Sequence, residues 1–186
     1  RNGVSVKLGG DFTILGGAEL SDQLAPSSSR GPVYETHRLK PDLAAPGFNI
    51  QSARAGGGSS SLLSAGTSMA APHVVGVAAL LLEQHQDWTP NSIKAAMMNT
   101  AIQIRDENNE PYPESRAGAG RVNPQMAIET SVIVFDDEHP ERVSLSFGLL
   151  ASSGSYSDDR KLTLKNFSRE PWDSTIVISN TSLNKG

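Results

Sequence analysis

The sequence predicts an α/β fold followed by a β-rich tail, and three observations carry that reading. The run Val74-Val75-Gly76-Val77-Ala78-Ala79-Leu80-Leu81-Leu82 is apolar nearly all round and rich in small residues, which suits a central, buried helix. Behind it, Thr89 and Pro90 open a second segment in which Ile93, Ala96, Met97, Thr100 and Ala101 recur at helical spacing. From Ser131 onward the pattern turns to alternation of apolar and polar residues, as in half-buried strands.

Taken in order, Val4-Ser5-Val6-Lys7-Leu8 and Phe12-Thr13-Ile14-Leu15 flank Gly9-Gly10-Asp11 and read as a hairpin. Between residues 20 and 64, prolines, glycines and serines interrupt short apolar pieces, so loops and one or two short strands are expected. Gly56-Gly57-Gly58-Ser59-Ser60-Ser61 reads as a loop lying before Ser68 rather than as a linker. The central helix is expected over residues 69–86. Thr89 caps the next helix with Pro90 at its first position, and Asn123-Pro124 repeats that start signal for a short helix ending near Glu129. Four strands follow, over residues 132–135, 143–147, 161–165 and 175–178. The chain thus divides into residues 1–20, 21–130 and 131–186, with a charged turn at residues 136–140 as a place for proteolysis.

Sixteen Lys and Arg against 20 Asp and Glu leave a net charge of −4, which gives no electrostatic case for nucleic acid or an anionic membrane. The longest apolar run is far too short to span a bilayer. With no cysteine, disulfides, thiolate zinc sites and a cysteine nucleophile are excluded.

The chemistry concentrates at Gly66-Thr67-Ser68-Met69-Ala70-Ala71-Pro72-His73. Pro72 has no N–H to give to the carbonyl of Ser68, so a regular ladder is expected to begin with His73 bonding to Met69. Ser68 then stands at the mouth of the helix, where unpaired N–H groups and the positive end of the dipole favour negative charge. A hydroxyl nucleophile and an oxyanion of acyl transfer both suit that place.

This segment resembles the subtilases, the subtilisin-like serine endopeptidases, whose nucleophile lies in a Gly-Thr-Ser-Met-Ala-x-Pro-His motif. The resemblance extends to Ser28-Ser29-Arg30-Gly31-Pro32, Lys40-Pro41-Asp42-Leu43-Ala44-Ala45-Pro46-Gly47, Ile50-Gln51-Ser52-Ala53, Trp88-Thr89-Pro90 and Gly118-Ala119-Gly120-Arg121-Val122-Asn123, covering residues 21–130. It implies that Ser68 is the nucleophile, that Ser68 and Thr67 form the oxyanion and substrate-binding position, and that substrates are proteins or peptides. It also implies secretion, an α/β domain with a parallel sheet, and no cofactor, calcium being possible in the family without ligands identified here. Arg30 and the loop over residues 56–61 are expected to border the cleft.

The family also needs an Asp, a His in a His-Gly-Thr-His type segment and an oxyanion Asn, all preceding the serine, and none of those segments occurs here. The chain is therefore read as the C-terminal part of the catalytic domain of a larger protease, inactive alone. The apolar faces around Val74, Val77 and Leu81 would be covered by the N-terminal part or by self-association. The tail resembles the fibronectin type III-like modules of large secreted bacterial subtilases, incomplete at four strands.

Other candidates read more simply. His73 is five residues after Ser68, about 140° round and about 7.5 Å along a helix, whereas a general base must come within about 2.6–3.2 Å of its hydroxyl. His85 lies further along the same helix, and His37 and His139 read as surface residues. Asp106, Asn108 and Glu110 have the early spacing of a calcium loop, but Pro111 replaces its glycine. Gly118 and Gly120 read as turn glycines, Asp136-Asp137-Glu138 and Asp158-Asp159 as solvated turns, and Asn166 and Asn180 as chance glycosylation patterns. Two other function classes remain: an α/β-hydrolase esterase, since Gly66-Thr67-Ser68-Met69-Ala70 is one letter from Gly-x-Ser-x-Gly but lacks an evident buried strand before it, and a non-catalytic binding or scaffold module.

Overall fold

The structure is a computed structural model that describes residues 22–136, 139, 143–145, 157–173 and 175. The expected hairpin before residue 20, Asn180 and most of the expected strand over 175–178 lie outside those residues. The described chain runs β1 (Ile50–Ala53), β2 (Ser61–Ser64), α1 (Thr67–Gln84), α2 (Pro90–Asn99), α3 (Glu114–Ala117), α4 (Pro124–Glu129), β3 (Val132–Asp136) and β4 (Leu162–Asn166). The strands form two antiparallel pairs, β1 with β2 and β3 with β4. Among the described residues, parallel pairing is confined to a single bridge between Ala44 and Arg121.

The helix starts follow their local chemistry. Thr89 Oγ1 accepts from the Ser92 N–H at 3.2 Å and Asn123 Oδ1 from the Met126 N–H at 3.3 Å, each with proline at the first helical position. Helix α3 was not expected from the sequence. Pro113 before it and Gly118 after it, at φ 61, are the bracketing signals that could have found it.

Helix α1 differs from expectation in two ways. It begins at Thr67 rather than Met69, because the N–H groups of Met69 and Ala70 already reach the Gly66 carbonyl, at 3.0 and 3.3 Å. Pro72 deletes one ladder bond without delaying the turn upstream of it. Nor is the helix buried all round. Val77 and Leu81 are buried and Val74 packs beside them, so the face for which the sequence suggested missing cover is covered here, by α2 and α4. The open surface belongs instead to Val75, Leu80 and Leu82, which are 67%, 47% and 48% exposed. Val75 and Leu82 lie about 100° further round the axis than Val74 and Leu81.

Val77 and Leu81 join Trp88, Ile93, Ala95, Ala96, Met97, Val122, Ala127, Ile133 and Val143 in one core. Strand β3 enters that core through Ile133, and its Val134 N–H donates to Asn99 Oδ1 at the end of α2, at 2.7 Å. Trp88 stacks on His85 with centroids 3.8 Å apart and meets Phe167, just beyond β4, at 4.7 Å. The expected strand over 143–147 is not observed at residues 143–145: Val143 adopts φ 60, incompatible with an extended strand, while its side chain fills the core.

Two of the quoted motifs are paired in space. The Ala44 N–H donates to the Gly120 carbonyl at 2.8 Å, Val122 returns the bond to Ala44 at 2.9 Å, and Ala119 donates to Asp42 at 3.0 Å. Asp42 also pairs with Lys40 and, at 3.1 Å, with Lys94 of α2. Gly120 is more than a turn residue, since a Cβ there would lie 2.2 Å from the Ile102 carbonyl oxygen. Among the described residues no helix is long and apolar enough to cross a membrane.

Candidate active site

The start of α1 is built by two glycines. Gly66, at φ 142 and ψ 169, turns the chain from β2 into the helix in a conformation that side chains rarely adopt. Its N–H donates to the Gly47 carbonyl at 2.7 Å, so the Ala45-Pro46-Gly47 segment is seated against the helix mouth. Gly47 is required by that contact, because a Cβ there would meet the Gly66 carbonyl oxygen at 2.9 Å and Ala70 Cβ at 3.1 Å.

Ser68 therefore occupies the second position of α1. Among the described residues, the backbone N–H groups of Thr67 and Ser68 donate to nothing, and the Ser68 hydroxyl has no hydrogen-bond partner. No acidic side chain lies in the first turn to offset the dipole. The arrangement presents an exposed hydroxyl beside two free donors, which can stabilise negative charge developing next to the oxygen. Thr67 is exposed on the same turn, and Arg30 is exposed in its loop. The glycine-serine stretch forms the tip joining β1 to β2, closed by Arg54 N–H to Ser60 and Ser60 N–H to Gly57, both at 3.1 Å.

No histidine hydrogen-bonds the Ser68 hydroxyl. The His73 ring donates from Nδ1 to the Met69 carbonyl at 2.8 Å, back along its own helix. His85 is held in the stack on Trp88, His37 sits in an exposed turn closed by its N–H to Val33 at 2.9 Å, and the His139 N–H donates to Asp136 Oδ1 at 3.1 Å. Asp106 Oδ1 accepts the N–H groups of Asn108 and Glu110, both at 2.9 Å, so its carboxylate caps its own turn. No group of three or more metal-ligating side chains comes together among the described residues.

A strand does precede the serine, one of the short strands expected between residues 20 and 64. It is β2, however, half of an exposed antiparallel hairpin with Leu62 and Leu63 54% and 56% exposed, and not the buried strand a hydrolase elbow requires. Sequence reasoning missed the seating of Gly66 on Gly47, whereas His73, read from the sequence as a packed or hydrogen-bonded helix residue, is hydrogen-bonded through its ring. The seating carried a signal, since Gly47 closes a quoted motif.

Comparison with known proteins shows the family. The chain matches the subtilase family over residues 11–120. It is 36% identical over 164 residues to the minor extracellular protease Vpr of Bacillus subtilis, covering 83% of this chain and 19% of that protein. It is 37% identical over 153 residues to a subtilisin-like protease of Arabidopsis thaliana, covering 69% and 20%, and 32% identical over 191 residues to one of Glycine max, covering 91% and 23%. The chain thus spans about one fifth of the length of these relatives. The solved structure of the prenylagaramide maturation protease PagA aligns at 32% identity with a TM-score of 0.38, over 46% of this chain and 31% of that one, an overlap too partial to fix the fold. With the match covering more than half of its residues, the chain belongs to the subtilase family, whose domain is α/β.

Proposed function

We propose that the protein containing this chain is a serine endopeptidase in which Ser68 attacks the peptide carbonyl and carries the acyl group until water releases it. The observation that carries this reading is the Ser68 hydroxyl at the start of α1, beside the unpaired N–H groups of Thr67 and Ser68. Those donors suit the oxyanion of the tetrahedral intermediate, and the dipole of an 18-residue helix adds to them. Substrates are proteins or peptides, met outside the cell.

The general base and the carboxylate that orients it come from the rest of the protein. All four histidines of the chain are accounted for without touching Ser68. Loss of triad partners costs about 10⁴-fold or more, so the 186 residues alone have little peptidase activity. The same remainder covers the apolar flank of α1 at Val75, Leu80 and Leu82. The segment after Thr130 serves as an appended β module that supports and positions neighbours and does no chemistry.

In the full-length protein, Ser68→Ala is expected to remove essentially all peptidase activity and all labelling by a fluorophosphonate, with the melting temperature unchanged. A folded Ser68→Ala protein that kept most of its activity would overturn the assignment.

A further inference from the structure

The first turn of α1 is held by an uneven set of bonds. On its upstream side the Gly66 carbonyl accepts from both Met69 and Ala70, while the Gly66 N–H is tied to Gly47. On its downstream side Pro72 has no N–H for the Ser68 carbonyl, and its ring crowds that same oxygen. The step that carries Ser68 therefore lacks its ladder bond. The next carbonyl along, that of Met69, receives the His73 ring through Nδ1 at 2.8 Å. In a regular helix the backbone N–H of residue 73 already faces that carbonyl, so the ring is an added donor at the first intact step after the proline. Because a carbonyl only accepts, the contact places a proton on Nδ1 and turns the ring back along the helix, away from a role as base for Ser68.

We propose that His73 is a positioning residue for Ser68: its ring replaces, one step downstream, the bond that Pro72 removes, and so holds the pitch of the turn on which the hydroxyl stands. The proposal rests on Ser68 being the nucleophile. Ser68 lies between two ties, Gly66 to Gly47 on one side and His73 to Met69 on the other. Releasing the second lets the turn open around the proline. A nucleophile displaced by about 1 Å loses about 10²-fold in rate, even where binding is untouched.

The test uses the full-length protein with His73→Ala, His73→Leu and His73→Asn. Asparagine places its amide nitrogen where Nδ1 sits and keeps a donor, whereas leucine keeps bulk without one. Active sites are titrated with a fluorophosphonate, and kcat per titrated site and KM are measured on a chromogenic peptide across pH. His73→Ala and His73→Leu are expected to lower kcat per site about 10-fold with KM changed less than about 2-fold, and His73→Asn to recover to within about 3-fold of the parent. Should His73→Ala not fold, the pair His73→Leu and His73→Asn carries the same comparison. Unchanged kcat per site in His73→Leu, with only the number of active sites reduced, would mean a merely structural role and overturn the proposal. So would a His73→Asn variant no better than His73→Leu. A loss of about 10⁴-fold in all three, with an altered pH profile, would identify His73 as the base and overturn it as well. Activity retained by Ser68→Ala is a separate result and refutes the nucleophile, not the tie.

Discussion

A methyl group on Gly47 would stand 2.9 Å from the Gly66 carbonyl oxygen, closer than real Cβ atoms approach, and 3.1 Å from Ala70 Cβ. Neither neighbour is the free end of a side chain, so the helix mouth itself would have to move. Gly47→Ala is expected to cost about 1–3 kcal/mol in a urea unfolding curve of the 186-residue chain. In the full-length protein it should slow fluorophosphonate labelling of Ser68 by about 10-fold or more. A labelling rate equal to the parent's would show that the seat of Gly66 does not govern the serine. At this scale the sequence was legible wherever chemistry is local. Thr89, Asn123 and their prolines declare helix starts because cap and ring act on adjacent residues. The hold of Gly47 on Gly66 was not legible, since it depends on a contact between segments separated by the whole β1–β2 hairpin.

Helix α1 shows the same limit one level up. Its existence follows from composition, but its sidedness does not, because Val75, Leu80 and Leu82 are as apolar as Val77 and Leu81. Which face is covered is decided by where α2 and α4 pack. A pattern apolar all round leaves that choice to tertiary structure. Val75 and Leu82 are exposed and lie outside the buried core, so Val75→Lys together with Leu82→Lys is expected to change the stability of the isolated chain by less than about 1 kcal/mol. The same pair should reduce its self-association in sedimentation velocity, because it breaks an exposed apolar patch. Equal self-association by parent and variant would place the sticky surface elsewhere. The position of β2, expected only as one of the short strands between residues 20 and 64, and the missing strand at residues 143–145 have one physical origin. Short stretches carry too little pattern to separate extended chain from irregular chain, and Val143 meets the core's demand for an apolar side chain without being in a strand.

For the whole molecule, the change of sequence character at Ser131 is a change of element type that the packing bridges. Ile133 of β3 is fully buried among residues of α1, α2 and α4, and Asn99 caps a backbone N–H of β3. Residues 22–136 and β4 are therefore expected to unfold in one transition in urea. Two separated transitions, followed by circular dichroism and by proteolysis at residues 136–140, would mean an independent unit beyond Thr130. The two tryptophans provide the optical readout. Trp88 is 5% exposed and sandwiched by His85 and Phe167, whereas Trp172 is 46% exposed. In the folded chain, iodide is expected to quench the Trp172 part of the emission and leave a blue-shifted Trp88 part, and Trp172→Phe should remove the quenchable part alone. The stack that closes the core thus makes the chain a two-colour reporter of its own integrity: light from Trp88 follows the junction of α1 with the tail, while light from Trp172 follows the solvent.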